Sequence, residues 1–249
     1  MEGAKVLRSS QIIILGVCIA VATIVSSMIL SKGFLKITKF VREQISVTGS
    51  AQREIKSDYI VWRGSFSTRQ ADLKTGYQKL NDDLAVVKKY LIGKGISENE
   101  IIVSQISINK VYKKNDKGND TNEIQWYILS EIIEVRSYDV EKVDRISRES
   151  TELINENIEF ESYAPDYSYT KLDELKIEML AKATENAKQR AENMVKATGN
   201  KIGSIRSAKM GVFQITPVNS TEVSDWGVND TSSFDKKVTA VVSASFAIE

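Results

Sequence analysis

Between Ile12 and Ser31 the chain reads IIILGVCIAVATIVSSMILS, a run without a single charged side chain. No other feature limits the fold as strongly. An α-helix rises about 1.5 Å per residue, so a run of this length matches a hydrocarbon core of about 30 Å. Lipid offers no partner to backbone amides, and a helix satisfies them internally. The run therefore predicts one transmembrane helix over 12–31, preceded by a short segment 1–11 and followed by a linker 32–42. A cleavable signal sequence has a shorter apolar core, about 7–15 residues, ending in a small-residue cleavage site. No such site follows here, and a retained anchor is the expectation. Cys18 in LGVC reads as an embedded thiol, because Val17 stands where a lipoprotein cleavage site needs a small residue.

Two arguments about orientation conflict. Lys5 and Arg8 precede the run, whereas Lys32, Lys36, Lys39 and Arg42 follow it, and a positive-inside count places the following domain in the cytoplasm. Long domains, however, translocate largely regardless of flanking charge. The residues alone leave both directions open.

The rest of the chain is charged but balanced. Lys and Arg number 34 against 33 Asp and Glu, so no global field recruits nucleic acid. Histidine is absent, which removes the commonest general base and the commonest metal ligand. The single cysteine rules out an intramolecular disulfide and a cysteine-based zinc site. These absences weigh against a hydrolase or a metalloenzyme, and no cofactor is expected.

Alternation takes over beyond the anchor. ISVTGSAQREI (Ile45 to Ile55) and YIVWRGSFSTR (Tyr59 to Arg69) predict two strands. Leu73, Tyr77, Leu80, Leu84, Val87 and Leu91 then recur at helical spacing, and Gly93 and Gly95 end that helix. Strands follow at 101–114 and 124–137, joined by NDKGNDTN (Asn115 to Asn122). That segment lacks the calcium-loop spacing of glycine and glutamate, and it predicts a polar hairpin tip. Asp139 caps a short helix carrying Val140, Val143, Ile146 and Leu153, and a strand follows at 157–165.

Thr170 and Asp173 suggest a capping box for the longest helix of the soluble part. Its stripe is Leu172, Leu175, Met179, Ala183, Ala187, Ala191 and Met194. Three alanines in a row on one face let the helix axis approach its neighbour closely, and Gly199 can take a left-handed cap. KIGSIRSAKMGVFQI and KVTAVVSASFAIE close the chain as strands. The expected class is α+β: an antiparallel-rich sheet with helices packed on one face, in the order ββαββαβαββ, preceded by one transmembrane helix.

The early I-x-V-x-G strand (Ile45, Val47, Gly49), the stretch AKATENAKQRAENMVKATGNKIGSI and the terminal V-x-A-x-V-like strand together resemble the SIMPL-domain family, which includes the YggE-like bacterial envelope proteins. The resemblance covers residues 43–249. It implies an exported α+β domain without an established enzymatic activity. It also implies homo-oligomers in some members and a link of bacterial members to oxidative stress. No catalytic motif carries over, so no catalytic, cofactor-binding or metal residue is assigned.

Two further stretches invite functional readings. PVNSTEVSDWGVNDTSSFDK (Pro217 to Lys236) is a long run of turn-formers, either a mobile surface loop or a contact loop whose Trp226 and Phe234 dock on a second subunit or a protein partner. Asn219, Asn229 and Asn119 begin glycosylation-like triplets that matter only in a eukaryotic secretory route. Glu131, Glu134 and Asp139 could form a carboxylate cluster of an extracytoplasmic enzyme or small-ligand binder. Glutamates near the end of a strand are equally ordinary as solvent-facing charges.

Overall fold

In the computed structural model, residues 2–249 are described, with side chains at 14–35 and 43–249. Lys5, Arg8, Lys36, Lys39 and Arg42, on which the charge count relied, lie outside the described side chains. Helix α1 runs over Glu2–Arg42, so the apolar run and the residues after it form one helix. Next come β1 (Gln44–Lys56), β2 (Tyr59–Gln70), α2 (Leu73–Gly93), β3 (Ile101–Val103), β4 (Ser107–Lys114) and β5 (Asp120–Ser137). The remainder is α3 (Val140–Glu149), β6 (Glu159–Ser162), β7 (Asp166–Ser168), α4 (Leu172–Lys196), β8 (Ile202–Met210), β9 (Gln214–Pro217), β10 (Val228–Asn229) and β11 (Asp235–Ile248). The class is α+β and antiparallel-rich, as expected. The strands are more finely divided than the alternation suggested.

The chain forms two units, one of Met1–Ala51, Leu180–Gly211 and Val241–Glu249, the other of Gln52–Met179 and Val212–Ala240. The second is built around an antiparallel sheet with β3, β5, β2 and β6 in that order. β4 extends the pairing of β3 along β5, and β7 extends that of β6 along β2. Ile60, Trp62 and Phe66 of β2 and Leu129, Ile133 and Val135 of β5 point to one face and are buried there with residues of α2 and α3. The expected strand 101–114 breaks at Ser104, whose hydroxyl accepts the Ile132 amide at 2.9 Å in place of a backbone carbonyl.

Helix α2 is rotated from the predicted stripe. Gly76, Leu80, Asp83, Val87 and Leu91 are buried, whereas Leu73 and Tyr77 are exposed. A Cβ at Gly76 would lie 2.7 Å from Leu129 Cδ1, so the missing side chain brings the first turn down onto β5. A Tyr77-centred face would have held that turn away. Thr170 likewise does not close a capping box. Its amide and hydroxyl donate to the Asp58 carboxylate at 2.7 and 2.8 Å.

In the first unit, the alanine row of α4 meets β1. Val47, Ala187, Ala191, Ala244 and Phe246 share one cluster. The row ends on Val195, not Met194, which is 57% exposed. Leu175, Met179, Ala183, Ala187, Ala191 and Val195 are therefore a strict i+4 ridge, inclined to the helix axis as ridges of that spacing are. Gly49 is the contact point: a Cβ there would sit 2.2 Å from the Ala183 carbonyl oxygen and 2.3 Å from the Ala187 amide nitrogen. β11 runs beside β1 and pairs antiparallel with β8, from Val242–Met210 to Ile248–Ile202.

Backbone rather than a flexible side chain fills the space at Gly49, so Gly49→Ala must push strand and helix apart. We expect a loss of roughly 2 kcal/mol or more in urea unfolding. Gly93→Ala, at the exposed end of α2 with nothing within 4 Å, should leave stability unchanged or slightly raised. Equal midpoints for the two variants would refute the close-approach account.

Candidate functional site

The three carboxylates of the proposed cluster do not converge. Glu131 shares the helix-covered face of β5 with Leu129 and Ile133, whereas Glu134 lies three residues on and faces the other way. Burial pushes the Glu131 carboxyl up, opposed by the charge of Lys88. Asp139 is used locally: its side chain accepts the Lys142 amide at 3.3 Å and caps α3. Among the described residues, no group of three or more His, Cys, Asp or Glu is placed to hold a metal ion.

On the outer face Glu134 sits between two arginines, with Arg63 Nε at 2.6 Å and Arg136 Nε at 2.5 Å, and Arg63 also reaches Asp166 at 3.2 Å. Burial alone would raise Glu134, but the hydrogen bonds from Arg63 and Arg136 outweigh it and hold the carboxyl below its ordinary value. The hairpin tip at 115–122 is closed by Asn115, whose side chain accepts the Lys117 and Asn119 amides at 3.0 Å each. That one oxygen is thus turned onto its own loop. Asn119, Asn219 and Asn229 are all exposed.

The segment 217–231 shows the most unusual construction. Gln214 of β9 is buried and acts as a clamp: Nε2 donates to the Ser224 carbonyl at 2.7 Å, and Oε1 accepts the Ser224 and Val228 amides at 3.3 and 3.0 Å. Lys237 of β11 donates to the Val218 and Ser220 carbonyls, both at 3.0 Å. β10 pairs in parallel with β9 through Val228–Gln214 and Asn229–Ile215. Gly227 takes φ +87°, a left-handed conformation open to glycine, and a Cβ there would meet the Phe213 carbonyl at 2.8 Å.

Next to the clamp, Lys236 is buried at 2% exposure and donates to the Tyr167 carbonyl at 3.0 Å and to the Asp230 carbonyl. The Asp230 carboxylate lies 3.8 Å from its ammonium. Burial pushes the Lys236 pKa down, and the charges of Asp230 and Asp166 oppose that. A cavity of about 140 Å³ adjoins the pair, lined also by Ile55, Tyr169, Leu172 and Ile215.

This scaffold displays apolar side chains at its apex. Trp226 is 94% exposed and Val223 79% exposed. Phe234 differs from Trp226: it is half-buried and packs against the core of the second unit, 6.2 Å from the Tyr167 ring, under the Lys56 ammonium. Gln214 and Lys237 carried no motif. Lys236 did leave a trace: it is in phase with Val238, Ala240 and Val242 on the buried parity of β11.

The chain is thus an α+β protein that carries one apolar N-terminal helix long enough to cross a membrane. The family model for SIMPL, described as a protein of unknown function (DUF541), matches residues 45–246, and the chain belongs to that family. A search of curated proteins returns no match.

Two outcomes test the site. Gln214→Leu leaves the Ser224 and Val228 amides without their acceptor, so the loop should open to water and become cleavable after Glu222 by a glutamate-specific protease under native conditions. Resistance equal to that of the wild type would show that Gln214 does not hold the loop. For Glu134, a folded pKa below 4.5 means that ionisation stabilises the fold above that pH and that the contribution is lost as pH falls below it. Thermal midpoints of the wild type and Glu134→Gln should differ near neutral pH and converge in acid.

Proposed function

We propose that this is a membrane-anchored, extracytoplasmic SIMPL protein that acts by self-assembly or protein contact, without catalysis, in an envelope or oxidative stress response. The observation that carries the anchor is exposure. Ile14–Leu35 of α1 is 22 residues long and apolar enough to cross a membrane, with none of it buried by the rest of the chain. Bare apolar side chains along six turns of helix are costly in water and favourable in hydrocarbon. The exported habit of the family supports an outside location for the domain, and the long-domain argument outweighs the charge count.

Contact rather than chemistry is supported by the sequence without histidine and by carboxylates that serve as caps and ion-pair partners. It is also supported by Trp226, held at the apex of a hydrogen-bonded loop. Central aromatic anchors supply much of the energy of protein interfaces.

Protease added to spheroplasts should degrade the domain, whereas full protection would place it in the cytoplasm. Full-length protein in detergent should scatter light as an oligomer. Trp226→Ala should weaken the assembly by about 2 kcal/mol, roughly thirtyfold in dissociation constant. A strict monomer at high micromolar concentration would rule out assembly through this domain. An oligomer indifferent to Trp226→Ala would rule out the loop alone.

A further inference from the structure

The β4–β5 ribbon is the least covered part of the second unit. No residue from Ser107 to Trp126 is buried. β4 pairs with β5 alone, which leaves its outer edge free. Isolated two-stranded ribbons are marginal in water, and a free edge invites another chain. One face of this ribbon continues the helix-covered face: Ile108 is opposite Leu129, Lys110 opposite Tyr127, and Tyr112 opposite Ile124. At Leu129 that face is roofed by α2, yet at Ile108 and Tyr112 the side chains are 51% and 37% exposed.

Charge distinguishes the ribbon edge from the Trp226 loop. β4 carries Lys110, Lys113 and Lys114 and no acid. Residues 217–231 carry Glu222, Asp225 and Asp230 and no base. The two surfaces do not meet within one chain, since almost all of Trp226 is exposed. Each offers what the other lacks, a displayed aromatic beside acids and an unroofed apolar face beside a lysine.

We propose that the Trp226 loop of one copy docks on the β4–β5 ribbon of a second copy. Trp226 covers Ile108, Tyr112 and Ile124, and Glu222 and Asp225 face Lys110. This rests on the reading that the domain self-associates, and it names the surfaces. Loop and ribbon are different patches, so the contact is head-to-tail and gives a ring if the rotation closes or a filament if it does not. Copies anchored in one bilayer meet at raised effective concentration.

Full-length chains in the Cys18→Ser background, one with Thr221→Cys on the loop and one with Asn122→Cys on the ribbon, test it in liposomes. With a bismaleimide the mixed sample should give a dimer band, either variant alone none, and the double variant a ladder. Lys110→Glu should cut the yield roughly fivefold, and adding Asp225→Lys should restore it. Trp226→Ala should abolish the band, with circular dichroism unchanged because all these positions are exposed. Stronger Thr221→Cys self-crosslinking than mixed crosslinking would mean a symmetric loop-to-loop contact and overturn the proposal. So would a blue shift of Trp226 fluorescence on the vesicles, measured against Trp226→Phe, without any crosslink. An oligomer by light scattering that gives no mixed crosslink overturns this contact and leaves self-association standing, whereas a monomer overturns both.

Discussion

The close approach of two backbones at Gly49 is the constraint on which the first unit depends. Strand β1 and helix α4 touch there without an intervening side chain, with Ala183 and Ala187 presenting only methyl groups. Once the gap is that narrow, polar groups can bridge it. The Ser50 amide reaches Asn186 Oδ1 at 3.1 Å, and Arg190 donates to the Thr48 carbonyl at 3.1 Å. The same approach lets Val47, Ala187, Ala191, Ala244 and Phe246 form one cluster. A larger residue at any of these points would lengthen every hydrogen bond beside it. The stretch 180–205 is thus a packing helix followed by its cap and strand.

The second unit works differently. Its core is large and conventional, with Trp62, Phe66, Leu80, Leu129 and Ile133 among the fully buried side chains. Its edges are fastened by polar side chains that reach backbone groups: Asp58 to Thr170, Gln214 to Ser224 and Val228, Lys236 to Tyr167 and Asp230, and Lys237 to Val218 and Ser220. Each satisfies carbonyls or amides that irregular chain would otherwise leave unpaired. The result is a segment with little regular structure beyond the short β10 that is nonetheless tied down, which lets it hold Trp226 in water. The ribbon at the other extreme is regular but unroofed.

Much of this was legible from residues alone. The apolar run, the alternation of β1, β2 and β11, the Asp139 cap and the left-handed Gly199 follow from local chemistry. Periodicity also placed the α4 stripe, but it chose Met194 over Val195, and it chose Tyr77 over Gly76 in α2. In α2 the error comes from counting apolar residues where the neighbour's shape decides, because Gly76 is buried by close approach and not by its own hydrophobicity; in α4 the strict i+4 row takes Val195 in place of the equally apolar Met194. The carboxylate cluster failed because Glu131 and Glu134 are three apart in a strand, which sends them to opposite faces.

By itself the sequence determined that an apolar helix precedes an α+β domain and that histidine chemistry is absent. These follow from composition and from periods of two and of about 3.6 residues, which need no knowledge of what packs on what. Only the tertiary structure decided that Phe234 is half-buried against the core while Trp226 is displayed, that Gln214 and Lys237 bind the loop, and that the β4–β5 ribbon is left uncovered. Those outcomes depend on residues far apart in the chain arriving at the same place, and hydrogen bonds between a side chain and a distant backbone leave no period to read.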